Sequence, residues 1–566
     1  MKKYIGIMLF AVLAASCTSD YEKFNTNPNK QSYGSVGAMA MLEDITVAGS
    51  QSLMSRTREW GNQIAQMNCA TGSGPRLEHC YKLESQYNSM WNHCFLTAAN
   101  ARHMYQLAEK QGDNNAMAIA LTMKVYYMSI LTDLYGDIPY QEALRGAEGI
   151  IRPVVESQKS VYEGMMADLE TANSLYKLNN VLADATKDKM FAGDIAKWQK
   201  FTNTLHMRLL NRVSLRNEEF SPSVAERMAA IVGDPAKYPV MTSNDDNAMI
   251  RFDGSAIYYR NVLNQYDITT DNGFSGDHLV SEHIIGLMVY NDKNQQDVDP
   301  RLKIWCTPRY RTGSSSIVWN WQGSKPGCVQ SYGAEPSVYN EALGQKWTNA
   351  QAETYMHYEV LCRDTNPNII LCYDELLFIE AEAAMNGWIQ GSAEQYYNEA
   401  LRASCKKWAP WGANGRFPVM DGSGVAFTNV TITDQQIENL IARPEVRWDG
   451  TFKRLAEQKW LALWWNIGFD PYSEMRRTGY PECTINEGIV KQGFSINSEG
   501  KAVFIARCSY PQIAIANNRA NYMVALERMG TTTNDIVTPV WWSGQAVAKD
   551  AGQPWPHSFR TLTYQE

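Results

Sequence analysis

The sequence predicts a mainly α-helical protein whose helices pair into stacked hairpins and carry a large, irregular, loop-rich region. Two observations predict the helices: apolar residues recur at steps of three and four, and the helical stretches come in pairs separated by short turns. A third predicts the loops, because long stretches replace that rhythm with Gly, Asn, Asp, Ser and Pro mixed with Trp and Tyr. Length and composition agree. The 566 residues, 45% hydrophobic and 20% charged, suffice for a sizeable core, and no long Pro-, Gly- or Ser-rich linker divides them.

The first residues read as an export signal. Lys2 and Lys3 form a basic start, Tyr4 to Ala15 is almost wholly apolar, and Ala14-Ala15-Ser16-Cys17 ends the run in small residues and a Cys. The apolar run is too short to cross a bilayer comfortably, and no later segment offers ~18 uninterrupted apolar residues. Residues 1–16 are therefore expected to be a signal peptide and 17–36, polar from Thr18 to Lys30, a tether. The ending resembles a bacterial lipoprotein box, which implies lipidation at Cys17; ordinary secretory cleavage that leaves Cys17 as a thiol is the alternative.

Residues 37–566 follow as one domain. Its helical scaffold is expected mainly in 37–240 and 366–480, with helices near 37–68, 88–111 and 115–135. Val161, Met165, Leu169, Ala172 and Leu175 form the next stripe. Trp198, Phe201, Leu205 and Leu209 form another behind Asp194, a good N-cap residue. Tyr373, Leu377, Ala381 and Ala384 end near Gly387, Phe452 and Leu455 begin a run to Trp465, and shorter helices are expected at 393–407 and 434–442. The loop-rich excursions occupy 242–365, 408–430 and 480–566. Their aromatic content argues against disorder, and long loops of this kind are usually functional.

Composition narrows the chemistry. A net charge of -8 argues against nucleic acid, whose phosphates need clustered Lys and Arg. There is no G-x-S-x-G, H-E-x-x-H or P-loop, and the eight His are scattered. Glu380 with Glu382, and Asp245 with Asp246, are sequence neighbours that do not face one another as a glycosidase pair must. The oxygen-rich stretch Asn291 to Asp299 lacks the central Gly and terminal Glu of an EF-hand loop, so no metal or cofactor is expected. Beyond Cys17, pairs such as Cys69 with Cys80 or Cys306 with Cys328 are conceivable disulfides, although several Cys sit in apolar helical runs where a buried thiol is the commoner outcome.

What remains is binding. The chain has 17 Trp and 30 Tyr against 16 Phe, and Trp and Tyr combine a flat apolar face with a hydrogen-bonding edge. The candidate ligand surface is Trp319, Trp321, Tyr258 and Tyr332 as stacking rings, with Arg76 and Arg260 as donors.

Ordered motifs sharpen this reading. Thr132-Asp133-Leu134-Tyr135-Gly136-Asp137-Ile138-Pro139-Tyr140 is a helix stop in which Gly136 accepts a conformation closed to other residues and Pro139 prevents continuation. After it come Asp194-x-x-Lys197-Trp198-x-x-Phe201, Asp299-Pro300-Arg301-Leu302, Tyr373-Asp374-Glu375-Leu376 with Glu380-Ala381-Glu382-Ala383, and Gln458-Lys459-Trp460. Glu474-x-Arg476-Arg477-Thr478-Gly479-Tyr480-Pro481 and Thr538-Pro539-Val540-Trp541-Trp542 complete the series. In this order the motifs resemble the SusD/RagB family of outer-membrane nutrient-binding lipoproteins. The resemblance implies about four helical pairs of tetratricopeptide type with a variable loop region packed on them. It implies a non-catalytic, cell-surface protein that captures oligosaccharide, or peptide as on the RagB side of the family, for a SusC-like TonB-dependent transporter. A glycoside hydrolase is the third reading. Asp133, Asp137, Arg476 and Arg477 are read as architecture.

Overall fold

Helices α1 (Glu84–Gln111) and α2 (Asn114–Tyr135) show how the scaffold is made. Gly112, at φ +69, ends the first, and the Asp113 carboxylate accepts from the Ala116 N–H at 3.0 Å to start the second. A turn this short forces antiparallel packing. Helix α2 is long and apolar enough to cross a membrane by length and composition, yet nearly all of it is buried between α1 and the helices that follow.

The computed structural model describes residues 37–70, 84–265, 278–291, 297–312, 317–321, 323, 339–340, 345–346, 354–415, 417–420, 425–486, 504–555, 557 and 560–562. The hairpin recurs as α3 (Gln158–Leu175) with α4 (Ile195–Arg212), α5 (Tyr373–Met385) with α6 (Ala393–Gly412), and α7 (Phe452–Ala462) with α8 (Asp470–Thr478). Ser157, Asp194, Ser392 and Thr451 cap α3, α4, α6 and α7. Helix α4 packs on α5 and α8 and so joins the two halves, as tetratricopeptide-like hairpins do.

At the end of α2, Gly136 takes φ +85, and its N–H donates to the Thr132 carbonyl at 2.9 Å. A Cβ there would lie 2.8 Å from Met529 Sδ. Asp137 then accepts from the Gln158 N–H at 2.7 Å, which ties the stop of one helix to the start of the next.

The charged residues of the motifs find each other. Arg208 of α4 grips Glu375 through two bonds of 2.6 and 2.7 Å, and Arg212 reaches Asp470 at 2.6 Å, Glu474 at 2.9 Å and Asp133 at 3.1 Å. Lys459 meets Glu474 at 3.0 Å, and Arg301 pairs with Asp299 at 2.7 Å. Buried charges persist only when paired and hydrogen-bonded like this. Asp133, Asp137, Arg476 and Arg477 are architectural: Arg528 donates to Asp137 at 2.6 Å, and Arg476 to the Ala506 carbonyl at 2.9 Å.

Several expectations change. The stretch read as one helix over 37–68 is a 3-10 turn, Ala38–Met41, followed by α-helical pieces interrupted by π-turns at Asp44–Ala48 and Thr57–Gly61. The excursion 242–365 is partly ordered: a sheet runs β1 (Asn68–Ala70), β2 (His278–Val280), β4 (Tyr355–Met356), β3 (Cys306–Thr307), all pairs antiparallel. The C-terminal stretch 480–566, expected to be irregular, contains helices Gln512–Asn517, Arg519–Arg528 and Gly544–Asp550. Cys94, Cys306, Cys362, Cys372, Cys405, Cys483 and Cys508 are buried thiols. Cys80 and Cys328, the other halves of the conceivable pairs, lie outside the described residues, as do 1–36 with Cys17.

Candidate ligand-binding site

A tight turn over 253–260 brings two of the candidate residues together. The Asp253 carboxylate accepts from the Ser255 N–H at 2.9 Å, the Gly254 N–H donates to the Tyr259 carbonyl at 2.9 Å, and Arg260 Nε donates to the Gly254 carbonyl at 3.1 Å. Gly254 has φ +71, which the closure requires. The turn is seated on the first helical stretch and on a strand edge. Tyr259 Oη donates to Glu43 at 2.5 Å, Tyr258 Oη to the Glu43 carbonyl at 3.3 Å, and the Val262 N–H to Gln51 at 2.8 Å. Behind it, Asn261 donates to the Asn366 carbonyl and to the Asn368 side chain, each at 3.0 Å. Lys189 lies 4.6 Å from the Tyr259 ring centroid.

The outer side of this turn is presented outward. Tyr258 is 43% exposed, and Ile257 beside it is 90% exposed. Arg260 and Asp364 are both well exposed, 3.9 Å apart. Burial of its hydroxyl end, with Asp44 and Glu43 nearby, pushes the Tyr258 phenol up to about 12, so it stays protonated at neutral pH. A half-exposed ring and a guanidinium fork on this turn thus meet the Asp364 carboxylate, which together supply a stacking face, donors and an acceptor.

The other candidates distribute differently. Trp319 lies in the hairpin strand Ile317–Asn320, opposite Tyr310 in register. Trp321 is a packing residue: it is 7% exposed and stacks on Phe417 at 6.3 Å and 19°, so its ring belongs to the core. Arg76 and Tyr332 lie outside the described residues. Asp364 and Ile257 were missed from sequence. Asp364 is about a hundred residues from Arg260, and only folding makes them neighbours, the Asn261 N–H donating to the Asp364 carbonyl at 2.8 Å.

Carboxylates weighed for catalysis or for a metal ion have other work. Glu382 binds Arg477, Asp246 binds Lys200 at 2.8 Å, and Asp297 binds Arg443 at 2.6 Å. Among the described residues no cluster of His, Cys, Asp and Glu is placed to hold a metal ion.

Helical hairpins that carry a loop-built surface of ring, donor and acceptor define a ligand-binding scaffold. A family profile described as starch-binding, associating with the outer membrane, matches residues 28–511, and the chain belongs to this SusD-like family. It is similar to a solved chitin-binding protein, at 25% identity and a TM-score of 0.68 over 90% of this chain and 100% of that one. A SusD homolog from Bacteroides fragilis, at 24% identity, has a TM-score of 0.66 over 90% and 99%. One from Bacteroides uniformis, at 21% identity, also reaches 0.66 over 90% and 99%. These last two likenesses speak for the fold. No curated protein matches the sequence.

Proposed function

We propose that the chain is a non-catalytic glycan-binding lipoprotein of the outer membrane, exposed at the cell surface, that captures oligosaccharide and delivers it to a SusC-like TonB-dependent transporter. The observation that carries this reading is the turn of Tyr258 and Arg260 with Asp364 beside it, displayed on a scaffold of a family described as starch-binding. Sugar rings present C–H faces for stacking and hydroxyls for hydrogen bonds. The Tyr258 face suits the first, and the Arg260–Asp364 pair suits two neighbouring hydroxyls, one accepting and one donating. Trp319, Tyr332 and Arg76 are proposed to extend this surface. The chitin-binding relative supports a carbohydrate ligand. Lipid on Cys17 supplies the anchor, since each buried methylene contributes roughly 0.8 kcal/mol.

A shallow stacking site offsets little of the ordering cost, so affinity is expected in the micromolar to millimolar range. Affinity electrophoresis across plant, host-mucosal and microbial glycans tests the ligand class. Retardation by one class supports the reading; no retardation, with heat released on titrating mixed peptides, moves the ligand to peptide. Co-purification of the protein with a barrel from detergent-solubilised outer membranes tests the partner.

A further inference from the structure

A cavity of about 310 Å³ opens between the start of α3 and the helix Gly544–Asp550. It shares no lining residue with the 253–260 turn. Its size is at the lower end of small-molecule sites, suited to one or two sugar residues. Lys159, Arg216, Arg528 and Lys549 line it against Asp137 and Asp550, which leaves two positive charges in excess. Those two carboxylates are spent: Arg528 holds Asp137 at 2.6 Å and Arg216 holds Asp550 at 2.6 Å. Lys159 and Lys549 form no ion pair among the described residues.

Two further features point to a ligand. Gln158 lines the cavity at 1% exposure, and its carboxamide oxygen accepts no hydrogen bond among the described residues, although its nitrogen donates to the Thr132 carbonyl at 2.7 Å. A buried acceptor left this way costs free energy until a donor reaches it. Trp541 lines the same cavity half-buried, its ring fixed by the Arg216 guanidinium at 5.4 Å and by the edge of Phe220 at 6.0 Å. The N-terminus of α3, capped by Ser157, opens here and adds a partial positive charge.

We infer that this cavity binds an acidic sugar residue of the uronic acid class. The carboxylate lies toward Lys159 and Lys549, a hydroxyl donates to Gln158 Oε1, and the C–H face packs on Trp541. A neutral sugar satisfies only the last two.

The test uses the full chain in detergent, titrated by calorimetry and saturation-transfer NMR with D-glucuronate and, as the neutral match, D-glucose. Glucuronate is expected to bind at least about tenfold tighter than glucose, and less tightly as salt rises. The double variant K159Q/K549Q, at exposed or half-exposed positions, is expected to keep the thermal midpoint and lose that preference. The variant Y258A/R260A is expected to bind glucuronate as the parent does. Equal affinity for the two sugars, unchanged glucuronate binding in K159Q/K549Q, or its loss in Y258A/R260A overturns the assignment. Tighter binding of N-acetylated amino acids than of glucuronate overturns it too. Because Y258A/R260A separates the sites, a failure here leaves the proposal for the turn standing, and the reverse.

Discussion

Arg477 and Glu382 meet through two parallel hydrogen bonds of 2.6 and 2.7 Å, both side chains buried, and so bind the last scaffold helix to α5. The same guanidinium reaches Glu474 at 2.9 Å. Burial alone would raise the Glu474 carboxyl, but Arg477, Lys459 and Arg212 overcome that and hold it well below the usual carboxylate range.

Removal of one partner from such a network leaves charge buried and unpaired. Arg477→Met is expected to cost about 3–5 kcal/mol, read as a shift of the denaturant midpoint. A loss under about 1 kcal/mol would show that solvent reaches Glu382 and Glu474.

Glu380 has the opposite character. Burial pushes its carboxyl up to about 7. A folded-state value above the unfolded one means that the favourable contribution is full below pH 4.5 and is lost as pH rises through 7. Glu380→Gln is therefore expected to match the parent near pH 4.5 and to be more stable by about 2–3 kcal/mol at pH 8. Thermal unfolding of both across that range checks it; a constant difference would contradict the assignment.

The helix stop makes a sharper steric claim. Gly136→Ala adds a Cβ 2.8 Å from Met529 Sδ at a backbone φ of +85, so a loss of more than about 1 kcal/mol is expected. Chemical denaturation measures it directly.

Trp321 and Tyr258 separate packing from binding. Trp321→Ala is expected to cost about 3–5 kcal/mol because its ring is buried against Phe417. Tyr258→Ala, at a half-exposed ring, is expected to change stability by less than about 1 kcal/mol and to weaken ligand. Paired melting and binding measurements on both variants check this.

These contrasts show what was legible in the sequence. Helices α3 and α4 announce themselves because their buried apolar residues recur at helical spacing. Helix α8 does not, since Asp470, Glu474 and Arg477 are buried by ion pairing and Ser473 and Arg476 by hydrogen bonds, and a search for apolar rhythm passes over it. Its motif was visible only through resemblance. At the candidate site, Tyr258 and Arg260 could be singled out as near neighbours in one loop, while Asp364 needed the fold to bring a distant turn beside them. Trp321 misled because an aromatic in a Gly-rich stretch has the same composition whether its ring faces solvent or anchors the loop.

The account turns on whether Tyr258 and Arg260 hold a glycan. The most direct measurement is calorimetric titration of the full chain, Tyr258→Ala and Arg260→Ala with the oligosaccharide that retards the parent in electrophoresis. The account predicts saturable binding by the parent and a loss of at least about tenfold in each variant, with unfolding midpoints unchanged. Parental affinity in both variants, or no glycan bound by the parent at all, would contradict it.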